Sequence, residues 1–460
     1  MAPKFGTSGL RGLVVELTDA LVADHVRAFL STCETGGTVY LGQDLRPSSP
    51  RIADTVAETA LAAGCHVVDC GAVPTPALAL AAETAGAGAV MVTGSHIPAD
   101  RNGLKFYGTA GEIGKDDEAA IVAALGREPE TANRPGRRRD DPGAADRFVA
   151  RYADAFGPRA LAGRRIGVYA HSAVGRDMLA AVLRALGAET VELGRSDTFV
   201  PVDTEALDPE TGAMLADWVR DHRLDAVAST DGDSDRPMLA DETGRIVPGD
   251  LLGQITAAAL GVEVVVTPVS SNSGVVLGGR FATVERVRIG SPYVIAGMAA
   301  HAESRVVGYE ANGGFLLGFE ARGPAGPLPP LATRDSFLPI VVPLVAAGDG
   351  TLSARLAEEP PRHTASDRLR DVPTEASRAL VARLTEDADA REAFLAFADS
   401  GARDCDLTDG LRITLDDGAV VHVRPSGNAP ELRLYAEADD PRRATDLLAG
   451  GLEALRQHLR

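Results

Sequence analysis

Short β-branched runs alternate with longer Ala/Leu-rich stretches through most of the chain. The runs 38–43 (TVYLGQ), 66–71 (HVVDCG) and 88–94 (GAVMVTG) read as strands, with helical periodicity at 49–63 and near 77–85. Strand–helix–strand alternation of this kind predicts a parallel α/β sheet. A polar stretch at 127–143, rich in Arg, Pro and Asp, has no apolar periodicity and reads as a loop. The pattern then restarts: strand 164–170, helix 177–188, strands 189–193 and 224–230. A third unit has a helix near 250–260 and strands 262–270 and 305–310. It also has a Gly/Pro-rich loop at 322–330 and apolar helical text to about 347. Further on, 409–426 alternates apolar and polar residues around an Asp-Asp-Gly hairpin turn, 431–438 is another strand, and a helix starts near Pro441. The expected fold is three doubly wound α/β domains (1–143, 144–240, 241–362) followed by a C-terminal α+β domain with an antiparallel sheet (363–460).

Composition narrows the function classes. The 460 residues are 45% hydrophobic and 24% charged, which fits a folded soluble chain. A net charge of −19 works against non-specific binding to nucleic acid or to an anionic membrane. No apolar run is long enough for a membrane span, and MAPKFGTSGLRG has no secretory pattern. Cys33, Cys65, Cys70 and Cys405 are scattered and fit neither a disulfide framework nor a zinc site. The expected compartment is the cytoplasm. Only three of the 46 basic residues are lysines (Lys4, Lys105, Lys115), so each retained lysine carries information.

Five segments carry candidate chemistry. DGDSDRP places Asp231, Asp233 and Asp235 two residues apart directly after an apolar strand. Three carboxylates so close repel one another unless a cation neutralises them, and hard oxygen ligands suit Mg²⁺ or Ca²⁺. An EF-hand is excluded, because Arg236 stands where that loop needs glycine and a strand precedes it. A solvated acidic turn is the plain alternative. VTGSHIPADRNGLKFYG presents Ser95 beside His96 after another strand, as a nucleophile or as a turn residue; Lys105 lies in the same segment. RPSGNAPELR joins Arg424 and Arg433 to Ser426, Gly427 and Asn428, a set that suits a phosphate or an ordinary hairpin. GYEANGG offers Glu310 and Asn312 to sugar hydroxyls, and the Gly-rich FGTSGLRG offers Arg11 to a phosphate. His171 and Trp218 read as structural.

Taken together and in this order, the segments resemble those of the α-D-phosphohexomutase superfamily, which includes the phosphomannomutases and phosphoglucomutases. The matching motifs stand here as TGSHIP, DGDSDR, GYEANGG and RPSGNAP, and the resemblance runs from FGTSGLRG to the final helix. It implies four domains around a central cleft. By the same resemblance Ser95 is the phosphorylated serine, and Asp231, Asp233 and Asp235 hold Mg²⁺ together with an oxygen on Ser95. Arg11, His96, Lys105 and Arg236 match catalytic-cleft positions. Glu310 matches the sugar-hydroxyl glutamate, and Arg424, Ser426, Gly427, Asn428 and Arg433 match the loop that grips the phosphate not being transferred. Asn312 replaces a common serine, Gly314 a common histidine, and Arg288 a common lysine; Asn428 and Ala429 replace the usual Thr and Glu.

The expected activity is a Mg²⁺-dependent mutase that interconverts hexose 6-phosphate and hexose 1-phosphate, mannose before glucose, with hexose 1,6-bisphosphate as activator. Phosphoryl transfer of this kind relies on positioning and charge neutralisation. The alternatives are a mutase for an amino sugar or pentose phosphate, a phosphoserine-using sugar phosphatase, and a phosphosugar sensor. The expected partner is a phosphosugar, with no nucleic acid or membrane, and the expected state is monomer or homodimer.

Overall fold

A computed structural model describes residues 3–6, 9–127, 134–205, 207–427 and 430–459. Among these residues four larger sheets follow one another along the chain, and the first three are mixed, not wholly parallel. In the first, His66–Ala72, Thr38–Gln43 and Gly88–Val92 run parallel. Arg101–Gly108 lies antiparallel to Gly88–Val92 and pairs on its far side with Leu10–Leu13. The segment around Lys105, given no element in the sequence, is therefore a strand. Its alternation is masked by Arg101, Asn102 and Gly103, yet Leu104 and Phe106 enter one core while Tyr107 enters another. Gly103 is required there, because a Cβ would come within 2.2 Å of the Leu10 carbonyl oxygen. Arg138–Asp140 also forms a strand, at the exposed edge beside His66–Ala72, inside the stretch expected to be loop. A strand exposed along its whole length carries no apolar signal.

The second sheet sets Glu189–Leu193, Arg165–Tyr169 and Ala226–Thr230 parallel, with Pro237–Ala240 antiparallel to the last. The third sets Thr283–Val287, Val264–Pro268 and Val306–Tyr309 parallel, then Phe315–Leu317 and Leu331–Asp335 antiparallel. One device recurs in all three. An inner parallel strand turns through a short loop into its antiparallel neighbour, at 93–100, 231–236 and 310–314. The fourth sheet is antiparallel throughout, in the order His363–Arg370, Glu431–Ala438, Val420–Pro425, Leu411–Leu415, Ala402–Asp406.

The first three units share one apolar cluster. Met91 and Tyr107 come from the first, Phe148, Ile166 and Leu183 from the second, and Phe315, Phe337 and Ile340 from the third. Phe148 and Phe337 pack with ring centroids 5.1 Å apart. The fourth unit has its own cluster, built from Leu384, Phe394, Leu411, Ile413, Val421, Leu434 and Leu455. It meets the third through polar groups. Buried Glu437 accepts the Ser273 N–H at 2.9 Å and faces Arg362 and Arg412 at 3.4 and 3.6 Å. The Ile289 N–H donates to Asp409 at 3.1 Å. Among the described residues no helix is long and apolar enough to cross a membrane.

Candidate active site

The loop 231–236 is a hairpin closed by its own first side chain. The Asp231 N–H donates to the Arg236 carbonyl at 3.1 Å, and Asp231 Oδ1 accepts the N–H groups of Asp235 and Arg236 at 3.1 and 3.2 Å. Ser234 takes a positive φ of 59° at the turn. This geometry turns all three aspartates inward. Each is fully buried, and each offers one oxygen within 4.8 Å of the others, so the triad could hold a metal ion.

The other units supply cations and hydroxyls to this hairpin. Lys105 Nζ donates to Asp233 Oδ2 at 2.6 Å and also to Asp235 Oδ2. Thr75 Oγ1 donates to Asp233 Oδ2 at 2.6 Å, and Arg334 pairs with Asp235 at 2.7 Å. The opposite oxygens, Asp233 Oδ1 and Asp235 Oδ1, are buried and have no hydrogen-bond partner among the described residues. Buried acceptors left in that state are costly unless something fills them. Burial pushes Asp233 and Asp235 up, but Lys105 and Arg334 outweigh it and hold both carboxyls below their ordinary range. Asp231 goes the other way: burial and its two acidic neighbours push it well up.

Ser95 stands at the end of Gly88–Val92 with φ 53°, 1% exposed. Its hydroxyl donates to Asp231 Oδ2 at 2.6 Å and lies 3.2 Å from His96 Nδ1. Burial, then Arg236 and Arg11, hold the His96 imidazole down to about 2, so it is neutral. Arg11 pairs in register with Gly103, two residues from Lys105, which sets both cations on one face of the first sheet. Burial and Arg236 lower Arg11 to about 10, which leaves it charged. Burial pushes the Arg236 guanidinium down, but Glu205, Asp231 and Asp235 outweigh it and hold it up. Arg236 Nη1 meets Glu205 at 3.3 Å.

Ser95, His96, Arg11, Lys105, Arg236 and the three aspartates thus converge. Glu310 joins them through Arg334, at 3.3 Å. Asn312 turns inward instead: its Oδ1 accepts the Gly314 N–H at 2.9 Å and closes the loop. Arg288 is exposed and stacks over Tyr293 at 4.9 Å, and it has no contact with the aspartate cluster among the described residues. In the fourth unit Arg424 and Arg433 are a directly opposed cross-strand pair, and Arg368 opposes Arg433 from the other side. Like charges in that register destabilise a sheet unless anions meet them. Asp409 meets Arg424 at 3.0 Å and Glu431 meets Arg433 at 3.5 Å. Ser426 is buried and Gly427 exposed; Asn428 lies outside the described residues. The charges of Arg236, Glu310 and Arg433 all act on Glu205, so the second, third and fourth units face one another there.

Sequence reasoning missed Thr75, Arg334, Glu205, Arg368 and the pair Asp44 and Arg46 beneath the serine loop. Three of these had a local signal. Arg334 and Asp335 are charges set between apolar runs, and Asp44 and Arg46 directly follow a predicted parallel strand.

A buried serine hydroxyl against a buried carboxylate triad, with Lys105, Arg11, Arg236 and Arg334 around it, could handle a phosphate ester. Family models for phosphoglucomutase/phosphomannomutase match the chain at α/β/α domain I (2–132), α/β/α domain II (146–244) and the C-terminal domain (365–450). A phosphomannomutase of Sinorhizobium fredii is 44% identical, with 99% of each chain covered. One of Salmonella muenchen is 42% identical over 99% of this chain and 96% of the relative. A solved putative phosphomannomutase of Thermus thermophilus shares the fold, with TM-score 0.79 at 21% identity and 99% of each chain covered. The chain belongs to the phosphoglucomutase/phosphomannomutase family and is a phosphohexomutase acting on a sugar phosphate.

Proposed function

We propose that the chain is a Mg²⁺-dependent phosphomannomutase that interconverts mannose 6-phosphate and mannose 1-phosphate, with glucose phosphates as second substrates. A phosphate on Ser95 moves to the free position of the sugar, the bisphosphate turns over in the cleft, and its other phosphate returns to Ser95. Hexose 1,6-bisphosphate is then the activator that primes Ser95. The observation that carries this reading is the 2.6 Å contact between Ser95 Oγ and Asp231, beside two buried aspartate oxygens without partners. The identity to phosphomannomutases supports mannose as first substrate.

The donor set fits Mg²⁺. Three carboxylates supply hard oxygens, and the orphaned Oδ1 atoms of Asp233 and Asp235 are ready acceptors. Asp231, Asp233, Asp235 and an oxygen on Ser95 would hold the ion, which when bound supplies charge neutralisation to the transferring phosphoryl group. The chain's own groups do the rest. As the sugar hydroxyl oxygen bonds to phosphorus, the bond to Ser95 Oγ breaks and the hydroxyl proton is relayed to that serine oxygen. Lys105, Arg11 and Arg236 line the face where charge spreads over the phosphoryl oxygens. Neutral His96 exchanges a hydrogen bond with Ser95 Oγ without adding charge. Glu310 reads sugar hydroxyls, and Arg424 and Arg433 hold the distal phosphate.

The test is an assay of mannose, glucose, glucosamine and ribose phosphates with Mg²⁺ and trace bisphosphate, following 1-phosphate isomers and free phosphate together. Interconversion of the mannose phosphates without net phosphate release is expected. Steady phosphate release would make the enzyme a phosphatase. Ser95→Ala should lower kcat at least about 1,000-fold, and a fully active variant would remove the phosphoserine from the mechanism.

A further inference from the structure

Ser95 is held in a backbone conformation that a serine adopts only at a cost, φ 53°. What holds it lies under the loop. Arg46 is 1% exposed and uses every guanidinium donor. Nε donates to Asp44 Oδ2 at 3.1 Å. Nη1 donates to the carbonyls of Pro98 and Arg101 at 2.8 and 2.9 Å, and Nη2 to those of Ser95 and Ile97 at 2.8 and 2.6 Å. Three carbonyls of the loop and that of Arg101, where the next strand opens, thus point at one fork. Asp44 holds the other side. Its Oδ2 accepts Thr93 Oγ1 at 2.8 Å, and Thr93 Oγ1 in turn accepts the Ser95 N–H at 2.7 Å. Both the N–H and the C=O of Ser95 are therefore fixed by the same pair. The Phe199 ring closes the guanidinium face at 4.0 Å, and a Cβ on Gly94 would come within 2.6 Å of the guanidinium carbon.

We propose that Arg46, locked by Asp44, is a positioning residue of the mutase: its fork aims Ser95 Oγ at the aspartate hairpin both before and after the serine takes up phosphate. The proposal rests on the phosphoserine reading above and adds a residue that touches neither sugar nor phosphate. A lysine at this position would keep the charge but supply three donors in no fixed plane, so it cannot hold four carbonyls and a carboxylate at once.

Arg46→Lys and Gly94→Ala disturb the same contact from opposite sides, and both are compared with the intact chain in three measurements. These are the rate at which Ser95 takes phosphate from mannose 1,6-bisphosphate, kcat and KM for mannose 1-phosphate, and the ³¹P resonance of the phosphoserine. Both variants should slow phosphate uptake and lower kcat by about 100-fold, the loss expected for a misplacement of about 1 Å. KM should stay within about 3-fold of the intact chain, because sugar contacts are untouched. The ³¹P line should broaden or split. A folded Arg46→Lys chain with normal uptake and kcat overturns the proposal, as does a rise in KM alone. Loss of the fold in both variants also overturns it, since Arg46 would then be merely structural. If the intact chain takes no phosphate on Ser95, the phosphoserine reading fails. If it does and the variants match it, only the positioning role fails.

Discussion

The three α/β units and the terminal unit are joined by different chemistry. Ser95, Asp231 and Lys105 come from two units, yet their polar atoms meet at hydrogen-bond distance because one apolar cluster runs behind them. Arg424 and Arg433 belong to a unit whose core is closed on itself and which meets its neighbour through Glu437, Arg412, Arg362 and Ser273. Separating an apolar seam exposes hydrocarbon at about 25 cal/mol per Å². Separating a polar seam trades one set of hydrogen bonds for another with water, at about 1 kcal/mol each. On the proposed function, the groups that need tight registration sit on the fused body, and those that would grip the distal phosphate sit on the unit with its own core.

The sharpest way to break this contrast is inside the shared core. Phe337 is fully buried against Phe148 and Tyr152. Phe337→Ala should cost about 3–5 kcal/mol and melt the first three units in one transition, seen by calorimetry and limited proteolysis. Separate melting of the first unit would contradict a common core. At the seam, Glu437→Ala removes the carboxylate that faces buried Arg412 and half-buried Arg362. It should cost about 3 kcal/mol, loosen the terminal unit first, and raise KM for mannose 1-phosphate with little loss of phosphate uptake by Ser95. Equal loss in both measurements would contradict the division between the two regions.

His422 sharpens the comparison with pH. It is buried in the terminal sheet, its Nε2 2.7 Å from the Asp409 carbonyl, stacked on Tyr435 and facing Asp409, Arg412 and Arg424. Burial lowers its imidazole from 6.5 to about 4. The unfolded chain then binds the extra proton first, so stability is present above pH 6.5 and is lost as pH falls toward 4. His422→Gln should remove about 2 kcal/mol of that loss between pH 7 and pH 5, read as a flatter acid limb for terminal-unit melting. An unchanged limb would assign the acid sensitivity elsewhere. The smallest effect is expected at the platform: Arg433→Gln should raise KM about 5–10-fold, roughly 1 kcal/mol, and leave kcat and Ser95 uptake near normal. A fall in kcat without a change in KM would detach Arg433 from phosphate binding.

The alternation of β-branched runs and Ala/Leu stretches was enough to find the inner parallel strands of the first three sheets. Arg101–Gly108 and Arg138–Asp140 escaped it because one opens with polar residues and glycine and the other is exposed along its length. The aspartate triad and Ser95 were legible as dense local motifs. Thr75 was not, since it is a single polar residue whose partner lies across a unit boundary. Arg288 was legible only as a basic residue; the fold exposes it and stacks it over Tyr293.

The three tight loops at 93–100, 231–236 and 310–314 each link strands already fixed by their own sheet. Each can therefore change its residues without rewriting the scaffold beneath the other two. On the proposed function, a modular rim of this sort lets one loop be retuned toward another sugar while Ser95 and the aspartate hairpin stay as they are. With Glu310 in its proposed role, swapping 310–314 alone is the natural way to alter which hexose is accepted.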